Sequence, residues 1–227
     1  MTKLAARIRA DLAAVADPTR AAGMQAYMKS TMPYYGVRMP DLRAICKRAF
    51  DEHPLASCDR WQAAVLELWR KAKYREERYV AMELAAQKRY AEYRTPVVLP
   101  MLEEMIFTGA WWDHVDEAAH LVGQMLRAHP KEMRPVMRAW STDENLWKRR
   151  VSITCQISFK RDTDLHLLYA NIEPNLADRD FFIRKAIGWA LRAYAWTDPA
   201  EVARYVREHE SQLSGLSRRE ALKNIPD

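Results

Sequence analysis

Three short segments combine residue types that core packing alone does not demand. In Trp111-Trp112-Asp113-His114-Val115-Asp116, Trp112 and Asp116 stand four residues apart. On a helix that spacing puts them about 40° apart on one face. They fall at the margin of an apolar stripe formed by Val115, Ala118, Ala119 and Val122. A carboxylate beside an indole stabilises a cationic ligand or transition state by Coulombic attraction and cation–π contact. The same residues also fit a core tryptophan with Asp113 or Asp116 capping a helix. In Asn145-Leu146-Trp147-Lys148-Arg149-Arg150-Val151, Arg150 lies within the apolar arc of Ile153, Thr154 and Ile157 and needs a partner there. A carboxylate such as Asp116, a phosphate, or each in turn would serve, and so would a purely structural buried ion pair. In the run from Phe181 to Arg192, Trp189 borders Lys185 and Arg192, while Gly188 leaves room for close backbone approach. Aromatic, cation and groove together suit nucleic acid; a core tryptophan with snorkelling neighbours reads the same.

Other chemistries are poorly supplied. Cys46, Cys58 and Cys155 are odd in number and lack CxxC spacing, so neither a disulfide framework nor a zinc site is expected, and a reducing cytoplasm is the simplest home. His114 and His120 are six residues apart, which misses the helical step that places two ligands on one face, and no HExxH accompanies them. No metal is expected. The 227 residues contain only 6 glycines, unclustered, which removes the Rossmann unit and the P-loop and with them a nucleotide cofactor. No apolar run approaches ~18 residues and the N-terminus has no signal-type apolar stretch, so a soluble chain without a membrane span is expected.

The elements that must position these residues are helices. Apolar residues recur at helical spacing through Val65–Ala72, Val97–Ile106, Val115–Leu126 and Ile183–Tyr194, with no strand alternation or hairpin signal. Thr95-Pro96 and Asp198-Pro199 read as cap-plus-proline starts, and Ser141-x-x-Glu144 and Ser217-x-x-Glu220 have capping-box spacing. About eleven helices of roughly ten to fifteen residues are expected. Helix pairs beginning near Trp61, Thr95, Pro130, Asp164 and Asp198 step by about 34 residues, in the range of two-helix solenoid repeats. A degenerate HEAT-like superhelix and an irregular all-α bundle both fit. Short linkers and the lack of a Gly/Ser-rich tract suggest one domain over residues 1–227.

The net charge of +6 suits an anionic partner, and its distribution says more than its total. Residues 95–126 contain five acids and no Lys or Arg, whereas the neighbouring segments are basic. Lys148, Arg149, Arg150, Lys160 and Arg161 fall between Trp147 and Arg161 with no acid among them. Basic helices would grip phosphates while the acidic one presents a carboxylate; ordinary solvated helix faces would look similar.

Taken in order, WWDHVD (111–116), NLWKRR (145–150) with FKR (159–161), FFIRKAIGWALRAYA (181–195) and LSRREALKNI (216–225) resemble the AlkD family of HEAT-like-repeat DNA glycosylases. YMKSTMPYYGVRMPDLRAI (27–45) is similar to the family's opening helices, so the resemblance spans essentially the whole chain. It implies an all-α fold, a right-handed superhelix of antiparallel helix pairs (HEAT-like repeats, α-solenoid) with a concave basic DNA-binding face. It also implies hydrolysis of the N-glycosidic bond of cationic N3- or N7-alkylated purines, such as 3-methyladenine or 7-methylguanine, in duplex DNA, by a monomer without cofactor. The family's catalytic Asp falls on Asp116, its paired indoles on Trp112 and Trp189, and its Arg on Arg150. Lys148, Lys160, Arg161, Lys185 and Arg192 become the candidate DNA-backbone contacts. A family trait is that the lesion need not be flipped into a deep pocket, which would admit bulky substrates. The alternative is a non-catalytic helical-repeat module that binds nucleic acid or protein.

Overall fold

Side chains ahead of the helices decide where many of them begin. In the computed structural model, which describes residues 2–225, Asp17, Ser57, Asn145, Asp164, Asp180, Asp198 and Ser214 each accept a hydrogen bond from the free amides of the helix that follows. Each such cap contributes about 1 kcal/mol. Two expected capping boxes are not there. Ser141 instead closes a helix, its hydroxyl donating to the Arg138 carbonyl, and Ser217 lies buried inside a helix capped by Ser214, its hydroxyl donating to the Arg184 carbonyl. Thr95 heads only a short 3-10 turn, Pro96–Val98, with no side-chain cap bond.

The chain packs as two compact units, Met1–Tyr93 and Arg94–Asp227. The first contains α1 (Lys3–Ala14), α2 (Pro18–Met28), α3 (Met39–Glu52), α4 (Cys58–Arg70) and α5 (Arg75–Ala86). Trp61, Trp69, Phe50, Leu12 and Leu42 fill its core, and the Trp61 indole N–H donates to the Leu84 carbonyl. The buried Glu76 carboxylate accepts the backbone amides of Tyr35, Gly36 and Val37, which satisfies a buried charge and fixes the α2–α3 connection.

The second unit contains α6 (Leu99–Gly109), α7 (Trp112–Ala128), α8 (Pro130–Trp140), α9 (Leu146–Thr154), α10 (Leu165–Ile172), α11 (Phe181–Ala195), α12 (Pro199–Glu208) and α13 (Gly215–Leu222). Thirteen α-helices and no strand are found among the described residues, two helices more than the spacing suggests. An eight-residue helix such as α13 spans barely two turns and carries little periodicity of its own. Within this unit α7, α9, α11 and α13 pack successively side by side, and α6, α8, α10 and α12 alternate with them, as in an α-solenoid. The helices α4, α6, α8, α10 and α12 begin within a few residues of the five expected repeat starts.

Two glycines let the first set of helices approach. A Cβ on Gly123 of α7 would stand 2.1 Å from the Cys155 carbonyl oxygen after α9, and one on Gly188 of α11 would stand 2.4 Å from Glu220 Cβ and 2.9 Å from the Ser217 carbonyl oxygen of α13. The close approach that Gly188 permits is therefore that of another helix. Gly188→Ala should lower stability by about 1–3 kcal/mol through overpacking, a fall in Tm of roughly 3–10 °C. Thermal unfolding followed by circular dichroism measures this, and an unchanged Tm would contradict the seating of α13 on α11.

Candidate active site

Helix α6 ends on Ala110 in the left-handed region, φ 36, and α7 starts two residues later behind Trp111, which makes no side-chain cap. Asp116 lies one turn in from the start, so its carboxylate is available to a neighbouring helix. Arg150 of α9 takes it in a two-pronged pair: Nε donates to Oδ1 at 2.7 Å and Nη2 to Oδ2 at 2.8 Å. The remaining prong, Nη1, donates to the Phe182 carbonyl in the first turn of α11 at 2.7 Å. One guanidinium thus ties α7, α9 and α11 together. Its side chain is 5% exposed, which is tolerable because its charge is matched by a carboxylate and its forked donors find oxygens. The Asp116 side chain is 18% exposed, so the carboxylate is held from behind and still reaches solvent.

Two indoles belong to the same elements. Trp112, one turn before Asp116 on α7, and Trp189 of α11 are both half-buried, and the Arg150 guanidinium carbon lies 5.9 Å from the Trp189 ring centroid. Behind them Trp111, Trp147 and Phe182 form a mutual aromatic cluster, with Phe182 centred 5.4 Å from Trp111 and 5.0 Å from Trp147. That packing anchors the backbone carbonyl on which Arg150 rests. Sequence reasoning missed Phe182 because a main-chain acceptor has no residue signature. His114 is buried on α7 next to Asp113.

The basic residues divide into two groups. Lys148 is held by Glu103 and, at 3.3 Å, by Asp143, and these hydrogen bonds raise its pKa, Glu103 contributing most. Lys185 and Arg192 share one acid, Glu220, at 2.6 and 2.5 Å, and the bond from Lys185 is the main cause that holds the Glu220 carboxyl below its usual range. Lys160 and Arg161 are exposed in a 3-10 turn after α9, without a carboxylate partner. Among the described residues no group of three or more His, Cys, Asp or Glu side chains is placed to hold a metal ion, and no helix is long and apolar enough to cross a membrane.

The fold and this centre define an all-helical protein of solenoid type that presents an arginine-held carboxylate beside two indoles. A family model described as DNA alkylation repair enzyme matches residues 8–225, and the chain belongs to that family. It is similar to a solved structure described as a "Predicted DNA alkylation repair enzyme from Enterococcus faecalis", with 30% identity over 93% of this chain and 97% of that one and a TM-score of 0.79. A search of curated proteins found no match.

Proposed function

We propose that the protein is a monofunctional DNA glycosylase that hydrolyses the N-glycosidic bond of cationic N3- or N7-alkylated purines in duplex DNA, acting as a monomer without cofactor. The observation that carries this reading is the Asp116 carboxylate, fixed by both prongs of Arg150 yet open to solvent, with Trp112 one turn before it on α7 and Trp189 near the Arg150 guanidinium. Membership of a DNA alkylation repair family supports DNA as the partner. An alkylated purine already bears a positive charge, so the bonding electrons pass to the departing base and neutralise it, and no general acid is needed. Charge then develops on the sugar, where a preorganised carboxylate stabilises it most effectively. Water, oriented by Asp116, adds to the anomeric carbon and gives up its proton to bulk solvent, which leaves a neutral free base and a sugar hydroxyl. One carboxylate does here what a pair does in ordinary glycoside hydrolysis, because the leaving group needs no protonation. In this reading Trp112 and Trp189 contact the deoxyribose and cationic nucleotide, and Arg150 orients Asp116 and meets a phosphate. Lys148, Lys160, Arg161, Lys185 and Arg192 grip the backbone.

The test is incubation with methylated duplex DNA and chromatographic identification of released bases. Free 3-methyladenine or 7-methylguanine is the expected result; binding without release would favour the non-catalytic module.

Glu220 bears on the grip, since Lys185 and Arg192 both point to it. A phosphate must compete with that carboxylate. Glu220→Gln is expected to tighten binding to unmodified duplex several-fold and to steepen the salt dependence, each phosphate newly neutralised adding about 0.9 to the slope of log K against log salt. Weaker binding in a salt titration would instead make Glu220 a scaffold for the two cations.

A further inference from the structure

The helices that carry Asp116, Arg150 and Trp189 also bring together residues at their opposite ends. Arg127 stands eleven residues after Asp116 on α7, about 20° away in helical phase and about 16 Å along the axis. Trp196, the C-cap residue just past α11, keeps near-helical backbone angles of −67° and −17° and stands seven residues after Trp189, again about 20° away and about 10 Å further on. Lys160 and Arg161 follow α9, beyond Arg150. These residues line one open cleft, floored by Phe159, over whose ring the Arg127 guanidinium carbon sits at 4.3 Å. The cleft therefore lies in line with the candidate active site on two of its three helices.

Its composition is unusual for a helix-end surface. Trp196 is 76% exposed and makes no ring contact. Lys160 and Arg161 have no carboxylate partner; the acid of the cleft, Asp162, stands 3.6 Å from Arg127. Lys160 also holds a left-handed backbone, φ 55, at a cost of roughly 1 kcal/mol. Lys160 and Arg161 stand six and seven residues past Thr154, the last residue of α9, beyond the reach of its terminal partial charge, so the helix end explains neither the two cations nor an indole of this size kept in water beside them.

We infer that this cleft extends the DNA contact past the lesion: Lys160 and Arg161, already assigned to the backbone grip, neutralise phosphates of the flanking duplex there, and Trp196 is a further contact residue that lies against the adjoining deoxyribose. The inference rests on the glycosylase reading only for its partner, duplex DNA. The offset of about 10–16 Å along the helices keeps the cleft within reach of the backbone that flanks a lesion held at Asp116. The surface contacts backbone and reads no sequence. It keeps the substrate in register while the chemistry takes place at the other end of the same helices.

The experiment uses the full chain and a fluorescent unmodified duplex of about 20 base pairs. Lys160→Ala/Arg161→Ala is expected to lower the slope of log K against log salt by about 1.5–2. Trp196→Ala is expected to weaken binding about three- to tenfold with little change in slope. In the unaltered protein, oxidative labelling of Trp196 read by mass spectrometry should fall when duplex is added. Unchanged affinity and slope, or labelling of Trp196 indifferent to duplex, overturns the inference. So does a Trp196→Ala defect confined to a single strand of the same length, which would make the indole a platform for unpaired bases. Base release by the unaltered protein is assayed in parallel. Its absence, with the cleft effects intact, would overturn the glycosylase reading and leave the cleft standing.

Discussion

Asp116→Asn is expected to slow release of 7-methylguanine from methylated duplex DNA by about two to three orders of magnitude, the usual effect of removing one preorganised electrostatic stabiliser. The substitution is nearly isosteric but does not leave the pair intact. Arg150 presents donors to both carboxylate oxygens, and an amide offers one acceptor and one further donor. One hydrogen bond is kept and one becomes a clash of N–H groups, while the negative charge is lost altogether. Duplex binding should stay within about twofold, because phosphate contacts are made by cations and a carboxylate in the groove opposes them. Single-turnover release at saturating protein, beside a binding titration, separates the two effects. Excision at a near-normal rate would sink the assignment of Asp116.

Arg150→Lys has the second largest expected effect. Charge is conserved, yet an ammonium is a point donor that cannot serve both Asp116 oxygens and the Phe182 carbonyl as the guanidinium does. The freed Phe182 carbonyl and a loosened Asp116 should cost about 1–3 kcal/mol of stability. They should also cost about ten- to a hundredfold in single-turnover release, since a stabiliser that is mispositioned no longer meets the developing charge. A variant with reduced Tm but unimpaired release at saturating protein would reduce Arg150 to a structural tie. Both rates are measured below the variant's unfolding transition.

The partnership of Asp116 and Arg150 was legible because an arginine inside an apolar arc must find a counter-charge, and the carboxylate on the margin of the α7 stripe was a suitable one. The repeat step was legible for a similar reason: proline and capping side chains mark most helix starts at a steady spacing. Ser141 and Glu144, and Ser217 and Glu220, had the spacing of a cap without the backbone to use it. Glu220 is instead drawn to Lys185 and Arg192 because the bare Cα of Gly188 lets α13 come close, a tertiary fact with no local trace. Phe182 acts through its carbonyl, and Trp196 sits past the last periodic residue of its helix, so neither enters a pattern of side-chain spacing. The division of the cations into paired and unpaired sets likewise depends on which acids the fold brings near.

The Arg150 fork has a consequence for how the centre comes into being. Its two acceptor residues lie 34 positions earlier and 32 positions later in the chain, so no single helix or hairpin contains even a rudimentary version of the arrangement. A fragment that folded α7 alone would hold Asp116 at a helix start with nothing to aim it. Competence for chemistry is thus a property of three helices distant in sequence, reached only when α7, α9 and α11 are packed together.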